Sequence, residues 1–404
     1  MATVTSESQQ EREAPHAHRA RRRARIGRFL RILWTINAVM HVPVAFGVGE
    51  MLRRLGVAHA GTLGAAWGVA GAAMFVSRTR AGMSDSTRHP VLVRLVDIPY
   101  FIHWCAALWT LIPAAVVSLV LPVVDLARGL PVTVPATALM WIYLSGLLVS
   151  AYGVLVRRRV FRVVARDAKV AGLPAALDGF RIAHLSDLHV GTLTPRAWGL
   201  RWAQAANAAK PDLTVVTGDL VTSGNAHDEA IADVLGALRA PLGVVSSMGN
   251  HDYFGEEEHL VAALRGRGVV VLRNEGVAIE KNGARLWLAA IDDTWTRRDD
   301  LGLALAQRPE GVPTVLLAHD PERFDQAADA GVELVLSGHT HGGQIAMPFL
   351  ARAVNLAKLR YKYTLGFYTR GRSRLYVHPG LGTTGPPIRL GAAPEVTVLV
   401  LRAG

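Results

Sequence analysis

The sequence predicts an α/β domain preceded by an N-terminal bundle of about four transmembrane helices. Four long apolar stretches lie before residue 157. From Leu173 the chain changes to short runs rich in valine and leucine, which alternate with alanine-rich segments typical of helices. We therefore expect a basic N-terminal tail (1–31), a transmembrane region of four helices (32–156), a basic juxtamembrane linker (157–172) and a soluble domain (173–404).

Composition narrows the class of protein. The chain has 404 residues, half of them apolar, and a single cysteine, Cys105. These values exclude a disordered chain, an internal disulfide framework and a cysteine-based zinc site. The formal net charge is +12, but residues 1–170 carry +13 and residues 171–404 carry −1. Because the second half has no excess of positive charge, we expect no nucleic-acid partner.

The apolar stretches predict membrane spans. They cover approximately 32–48, 57–76, 99–124 and 132–156, and the last three contain no charged residue. A helix needs about 20 apolar residues to cross a bilayer. The first stretch is shorter and follows an arginine-rich segment, so a cleaved signal peptide is the alternative there. The length of its apolar region and the spans that follow it favour a retained helix.

The distribution of arginine predicts the orientation. Arginines cluster before the first span, between the second and third spans, and after the fourth, whereas the other two loops hold only Arg53, Arg54 and Arg128. Positively charged loops remain on the cytoplasmic side of a membrane. We therefore expect a multi-pass protein of the cell membrane whose soluble domain faces the cytoplasm.

Five apolar runs of the soluble domain end in side chains that bind metals or transfer protons. The runs are 180–185, 213–216, 242–245, 312–317 and 332–336, and the side chains that follow them are Asp187, His189, Asp219, Asn250, His251, Asp252, His319, His339 and His341. Because ligands collect beyond the carboxyl ends of strands in α/β sheets, we expect these side chains to meet at one edge. Carboxylate, amide and imidazole donors without thiolate suit two divalent cations, such as Mn, Fe or Zn.

These residues form the motifs D-x-H, G-D, G-N-H-[DE], H and G-H-x-H, in that order. With them the sequence resembles the calcineurin-like metallophosphoesterase superfamily and, within it, a membrane-associated bacterial branch of YkuE-like and YaeI-like proteins. The resemblance covers roughly residues 173–401. It implies a four-layer αββα sandwich, in which two mixed sheets pack face to face with helices outside.

The resemblance also implies roles for the motif residues. One metal would be held by Asp187, His189, Asp219 and His341, and a second by Asp219, Asn250, His319 and His339, with Asp219 bridging. His251 would donate to a phosphoryl oxygen or protonate the leaving group, and Asp252 would orient its imidazole. The implied reaction is hydrolysis of a phosphodiester, phosphomonoester or pyrophosphate by a metal-bridging hydroxide. The substrate is then a phosphorylated small molecule or, at a bilayer surface, a lipid.

The alternative function is a catalytically weak, metal-dependent membrane sensor or binding protein. The intact pair of His251 and Asp252 favours the enzyme, because a binder needs no acid beside its ligands. Two further features stay open. Arg389 and Lys362 either bind a second phosphate or face solvent. A segment rich in aromatic residues docks on the membrane, caps the pocket or packs; it contains Tyr361, Tyr363, Phe367 and Tyr368.

Overall fold

The computed structural model describes residues 31–82, 89–347 and 349–404. Apart from Arg31, the expected N-terminal tail lies outside the described residues. The chain divides into two compact units. The first comprises the residues up to Ser77 together with Ile102–Val149, and the second comprises Arg78–Phe101 together with Ser150–Gly404.

Four helices in the described residues are long and apolar enough to cross a membrane. They are α1 (Arg31–Arg54), α2 (Ala60–Gly82), α3 (Pro90–Ala127) and α4 (Ala136–Arg159). This confirms the expected number of candidate spans. Three of the helices are longer than their apolar stretches, because α1 continues to Arg54, α2 continues to Gly82 and α3 begins at Pro90.

The helices of the first unit are joined by buried polar side chains. Nε2 of His41 on α1 lies 3.2 Å from Nε2 of His103 on α3, and Nδ1 of His103 lies 2.8 Å from the hydroxyl of Tyr143 on α4. The indole of Trp104 donates to Oδ1 of Asn37 over 3.0 Å. Hydrogen bonds of this kind hold helices together where no water is available.

In its described residues the second unit contains two six-stranded mixed sheets. The first has the order β1-β12-β2-β3-β4-β5 and the second has the order β10-β11-β9-β8-β7-β6. The strands of the first sheet are β1 (Arg162–Val170), β2 (Arg181–Leu185), β3 (Leu213–Thr217), β4 (Val244–Ser247), β5 (Val270–Val271) and β12 (Glu395–Ala403). Those of the second are β6 (Glu275–Lys281), β7 (Ala284–Ala290), β8 (Thr314–Leu317), β9 (Leu334–Ser337), β10 (Gly366–Arg370) and β11 (Ser373–Val377).

The two sheets face each other and helices cover their outer faces. Side chains such as Ile182 and Leu399 of the first sheet share one buried cluster with Leu288 and Leu336 of the second. Helices α5 (Arg196–Ala208), α6 (Asp228–Gly236) and α7 (Glu257–Arg265) contribute to the cluster behind the first sheet, and α8 (Leu301–Leu305) and α9 (Phe324–Asp329) to the cluster behind the second. These layers confirm the expected αββα sandwich.

All five expected strands form and begin and end within two residues of the expected bounds. The linker expected at 157–172 is wrong in part, because Arg162–Val170 forms β1 and pairs in parallel with β12. Its basic side chains explain the error. Arg162 and Arg166 lie 3.2 and 3.3 Å from the buried carboxylate of Glu395 on β12, so charges typical of a linker are ion-pair partners here.

Candidate metal centre

The predicted ligands stand in loops that follow strands of both sheets. Asp187 and His189 follow β2, and Asp219 follows β3. His319 follows β8, while His339 and His341 follow β9. These strands run parallel within each sheet, so their carboxyl ends lie at the same edge.

Six of the seven predicted ligands form two groups that share one carboxylate. The ligand atoms of Asp187, His189, Asp219 and His341 all lie within 4.8 Å of one another, and so do those of Asp219, His319 and His339. Nε2 of His189 lies 3.0 Å from Nε2 of His341. The carboxylate of Asp219 lies 3.4 Å from His189 and 3.3 Å from His319.

The donor set fits divalent cations. Oδ2 of Asp187 and Oδ1 of Asn250 are buried, and neither has a hydrogen-bond partner among the described residues. Asn250 is the seventh predicted ligand, and the amide of the next residue, His251, donates to Asp219 over 2.9 Å. Buried oxygen atoms without partners are rare in folded proteins. Their convergence with imidazole nitrogens is what a bound metal ion would satisfy.

Two histidines have their ring orientation fixed by partners outside the cluster. Nδ1 of His319 donates to the carbonyl of Thr217 over 2.7 Å, so Nε2 is the nitrogen that faces Asp219. Nε2 of His339 lies 2.9 Å from the hydroxyl of Tyr361, and Nδ1 lies 3.2 Å from Nε2 of His319. Such outer partners orient metal-ligating histidines. Tyr361 was not among the predicted site residues.

Arg389 does not bind a second phosphate. Its side chain is fully buried and donates to the carbonyls of Pro379 and Gly382 over 2.6 Å. Nη2 also lies 3.2 Å from Nδ1 of His341. The guanidinium is therefore a hydrogen-bond partner of a predicted ligand, His341. Lys362 is exposed and pairs with Asp325 over 2.8 Å, as expected for a solvent-facing side chain.

The loops that carry the predicted ligands have a strained backbone. Five predicted ligands have a backbone φ between 45° and 69°: Asp187, His189, Asp219, His339 and His341. Aspartate and histidine tolerate this left-handed region better than most residues. Gly218 has φ 73°, and a Cβ there would lie 2.4 Å from the amide nitrogen of Gly249. The loops after β3 and β4 can therefore approach each other this closely only with glycine at position 218.

Burial and neighbouring charges perturb the pKa values of the cluster. Burial lowers the pKa of His189 to about 3, which keeps this imidazole neutral. Burial alone would raise the pKa of Asp219, but the charges of His319 and His251 hold it well below its ordinary value. Burial raises the pKa of Asp187 to about 6. Burial alone would lower the pKa of His319, but the carboxylate of Asp219 raises it to about 10, so a cation that binds this imidazole would displace a proton. Strongly perturbed groups typically mark a functional site.

His251 lies beside the cluster. Nδ1 donates to the carbonyl of Thr222 over 2.7 Å, and Nε2 lies 3.3 Å from the hydroxyl of Thr384. The ring centroid is 4.7 Å from that of His189. The imidazole is therefore held in one orientation next to a predicted ligand.

The structure does not place the carboxylate of Asp252 against His251, so the expected orienting role is wrong. Oδ1 accepts from the amides of Leu220 and Val221, over 2.8 and 3.2 Å, and Oδ2 accepts from the amide of Gly249 over 2.9 Å. These three donors occupy the carboxylate. Asp252 ties the loop after β3 to the loop after β4, and the carbonyl of Thr222 orients the imidazole of His251 instead.

Comparison with known proteins identifies the family. The family described as calcineurin-like phosphoesterase matches residues 180–343, a range that contains every predicted ligand. The metallophosphoesterase YkuE of Bacillus subtilis is 33% identical over 235 residues, which are 57% of this chain and 82% of that protein. The chain belongs to the calcineurin-like phosphoesterase family. This membership supports a metal-dependent phosphoester hydrolase.

Two further relatives of the calcineurin-like phosphoesterase family extend the comparison. A transmembrane protein with metallophosphoesterase domain from Danio rerio is 32% identical over 267 residues, 63% of this chain. An uncharacterised metallophosphoesterase of Helicobacter pylori is 31% identical over 244 residues, 58% of this chain. The chain spans 60% and 64% of the length of these two relatives.

Proposed function

We propose that this protein is a membrane-anchored phosphoesterase that uses two divalent cations to hydrolyse a phosphodiester, phosphomonoester or pyrophosphate bond. The observation that carries the proposal is the position of Asp219, whose carboxylate belongs to both groups of ligand atoms. A carboxylate shared in this way is typical of two-metal sites. The arginine distribution supports a catalytic domain on the cytoplasmic side.

One cation would be held by Asp187, His189, Asp219 and His341. The other would be held by Asp219, Asn250, His319 and His339, for which the unpartnered Oδ1 of Asn250 is the additional support. The cations would neutralise charge on the phosphoryl group and lower the pKa of a water molecule that serves as the nucleophile. The absence of thiolate from these residues favours Mn, Fe or Zn.

His251 would protonate the leaving-group oxygen. Because Nδ1 is committed to the carbonyl of Thr222, Nε2 is the nitrogen that can exchange a proton with a substrate. The hydroxyl of Thr384 lies 3.3 Å from Nε2 and would keep this nitrogen hydrogen bonded before the substrate arrives. General acid catalysis of this kind typically contributes about 10²–10⁴-fold to a rate.

The test uses full-length protein in detergent, stripped by a chelator and reloaded with manganese. Turnover of an alkyl phosphodiester, whose leaving group needs a proton, and the number of bound cations are measured for the wild type, His251→Ala and Asp219→Ala. We expect His251→Ala to keep its metal and lose about 10²–10⁴-fold in rate, and Asp219→Ala to lose metal and activity together. His259→Ala is the matched control, since His259 is exposed and its imidazole pairs with Asp228.

Three outcomes would contradict the proposal. Full metal content and activity in Asp219→Ala would exclude the shared carboxylate. Unchanged activity in His251→Ala would exclude the general acid. Two bound cations in the wild type without turnover of any phosphoester would favour the membrane sensor or binding protein instead.

A further inference from the structure

The segment between the last predicted ligand and β10 carries an unusual number of exposed apolar side chains. Within thirteen residues of chain, six large apolar side chains are at least half exposed: Met347, Phe349, Leu350, Val354, Leu356 and Leu359. We name these six residues the apolar rim. Phe349 is fully exposed and Leu359 is 87% exposed. Soluble surfaces seldom collect apolar side chains in this way unless they contact a partner or a membrane.

The chain around the apolar rim is basic throughout. Residues 334–394 contain eight lysines and arginines and no aspartate or glutamate, whereas residues 171–404 as a whole carry a net charge of −1. Three of these cations, Arg352, Lys358 and Arg360, lie within or directly beside the rim and are exposed. Exposed apolar side chains flanked by basic ones are typical of surfaces that bind anionic membranes.

The base of the rim lies close to the end of the last candidate span, within the second unit. The amide of Ala346 donates to the carbonyl of Leu390 over 2.8 Å. The adjoining Arg389 donates its amide to the carbonyl of Gly153 on α4 over 3.4 Å. A Cβ on Gly153 would lie 2.7 Å from the side chain of Ile388. The rim therefore starts one segment away from a helix that is apolar enough to cross a membrane.

The rim also borders the candidate metal centre. Before the rim, a Cβ on Gly343 would lie 2.9 Å from the amide nitrogen of Leu356. After it, the hydroxyl of Tyr361 contacts His339. The half-exposed ring of Trp295 lies 5.7 Å from the ring of His339, and the guanidinium of Arg360 stacks on Trp295 at 4.9 Å. Exposed tryptophan is enriched where proteins meet the headgroup layer.

We propose that the apolar rim docks the catalytic domain on the bilayer, with Phe349 and Leu359 among the acyl chains and the basic side chains on anionic headgroups. A consequence, which rests on the proposed function, is that the metal centre acts on an amphiphilic phosphoester held in the membrane. The bilayer is favoured over a protein partner because the residue before the rim, Ala346, is bonded to the segment that contacts α4, and because the flanking chain, residues 334–394, contains no acidic residue.

Docking is tested by measuring how deeply single fluorophores, attached at chosen positions, lie in the bilayer. The only cysteine, Cys105, is buried, so Cys105→Ala gives a background in which Phe349→Cys, Leu359→Cys and Val270→Cys each carry one fluorophore. Val270 is the control, because it is an exposed apolar side chain on β5 of the first sheet, whereas the rim precedes β10 of the second sheet. The full chain is placed in nanodiscs of phosphatidylcholine and phosphatidylglycerol that contain a lipid-bound quencher.

We expect quenching at positions 349 and 359 and little at 270, and weaker quenching in discs of phosphatidylcholine alone. Equal quenching at all three positions would overturn the proposal. Quenching at none of them would also overturn it, and would leave a protein partner as the occupant of the rim.

Turnover separates the docking from the proposed function. The double variant Phe349→Ser with Leu359→Ser is compared with the wild type on a soluble aryl phosphodiester and on a lipid phosphodiester in the same vesicles. We expect unchanged turnover of the soluble substrate and a loss of roughly tenfold per lost side chain in the turnover of the lipid phosphodiester.

The outcomes of this comparison are distinct. If the wild type turns over neither substrate, the proposed function fails. If the wild type turns over both and the double variant matches it, docking through the rim is excluded. If the double variant loses both substrates, the rim supports the fold of the site and the docking proposal is also overturned.

Discussion

The hydroxyl of Tyr361 lies 2.9 Å from Nε2 of His339, while Nδ1 of the same ring points towards His319. Because the phenol occupies Nε2, Nδ1 is the nitrogen of His339 that faces the candidate metal centre. Loss of an outer partner of this kind typically lowers the metal affinity of a site by about 10–100-fold. A tyrosine twenty-two positions away in sequence from its partner thus acts as a positioning residue for the candidate metal centre.

Replacing Tyr361 by phenylalanine removes this hydrogen bond and keeps the ring. We expect metal affinity, measured by competition with a chromophoric chelator, to fall by about 10–100-fold. Tyr368→Phe is the control, since its hydroxyl accepts from the amides of Thr364 and Leu365 and is not bonded to a predicted ligand. Equal metal affinity in the wild type and Tyr361→Phe would contradict the positioning role.

The buried guanidinium of Arg389 stabilises the second unit. Arg389→Met leaves the carbonyls of Pro379 and Gly382 buried without their donor, at about 1–3 kcal/mol each. We expect a lower midpoint of thermal unfolding and weaker metal binding through His341. Arg402→Met, whose side chain is partly exposed and pairs with Asp167 and Asp178, should change the midpoint little. A similar midpoint in both variants would show that the burial of Arg389 carries no stability.

The role of His251 has a signature in the choice of leaving group. If this residue protonates the departing oxygen, His251→Ala should be impaired far more on an alkyl phosphodiester than on an aryl phosphodiester whose leaving group needs no proton. The difference between the two substrates should approach about 10²-fold. The same fractional loss on both would indicate that the imidazole stabilises the phosphoryl oxygen without donating a proton.

Removal of metal should destabilise the catalytic domain. Chelation leaves the buried oxygens of Asp187 and Asn250 without a partner, and bound cations at about one hundred times their dissociation constant contribute about 2.7 kcal/mol. We expect a chelator to lower the unfolding midpoint of the wild type and to leave that of Asp219→Ala unchanged. Asp167→Ala, on the exposed side of β1, should respond as the wild type does. A wild type that is insensitive to chelation would argue against a metal in this site.

The position of β1 can be tested by truncation. A fragment of residues 173–404 lacks the nine residues that pair with β12, which would then become an exposed edge strand. We expect it to aggregate or to unfold at a lower temperature than a fragment of residues 157–404. Equal solubility and stability of the two fragments would mean that β1 adds nothing to the domain.

The strands and the predicted ligands could be found from the sequence because each carries a local signal. Asp219 and His319, for example, lie within three residues of the ends of apolar runs that form strands. The strand β1 could not be found in this way. Its arginines resemble a linker until Glu395, more than two hundred residues later, is seen to pair with them.

The supporting residues were harder to identify for the same reason. Tyr361 and Arg389 act through long-range contacts, and a lone tyrosine or arginine has no pattern that predicts burial against a histidine. The role of Asp252 was misassigned because two residues that are adjacent in sequence do not necessarily point their side chains towards each other. In the short turn Asn250–Tyr253 its carboxylate turns towards three backbone amides and not towards the neighbouring imidazole.

The left-handed backbone at five predicted ligands affects how readily the protein is degraded in the cell. Each such residue costs about 1 kcal/mol or more, and domains are stable by only about 5–15 kcal/mol in total. A newly synthesised chain that finds no cation would hold these conformations without compensation and would be exposed to proteolysis. We therefore expect starvation for the cognate metal to reduce the abundance of this protein as well as its activity.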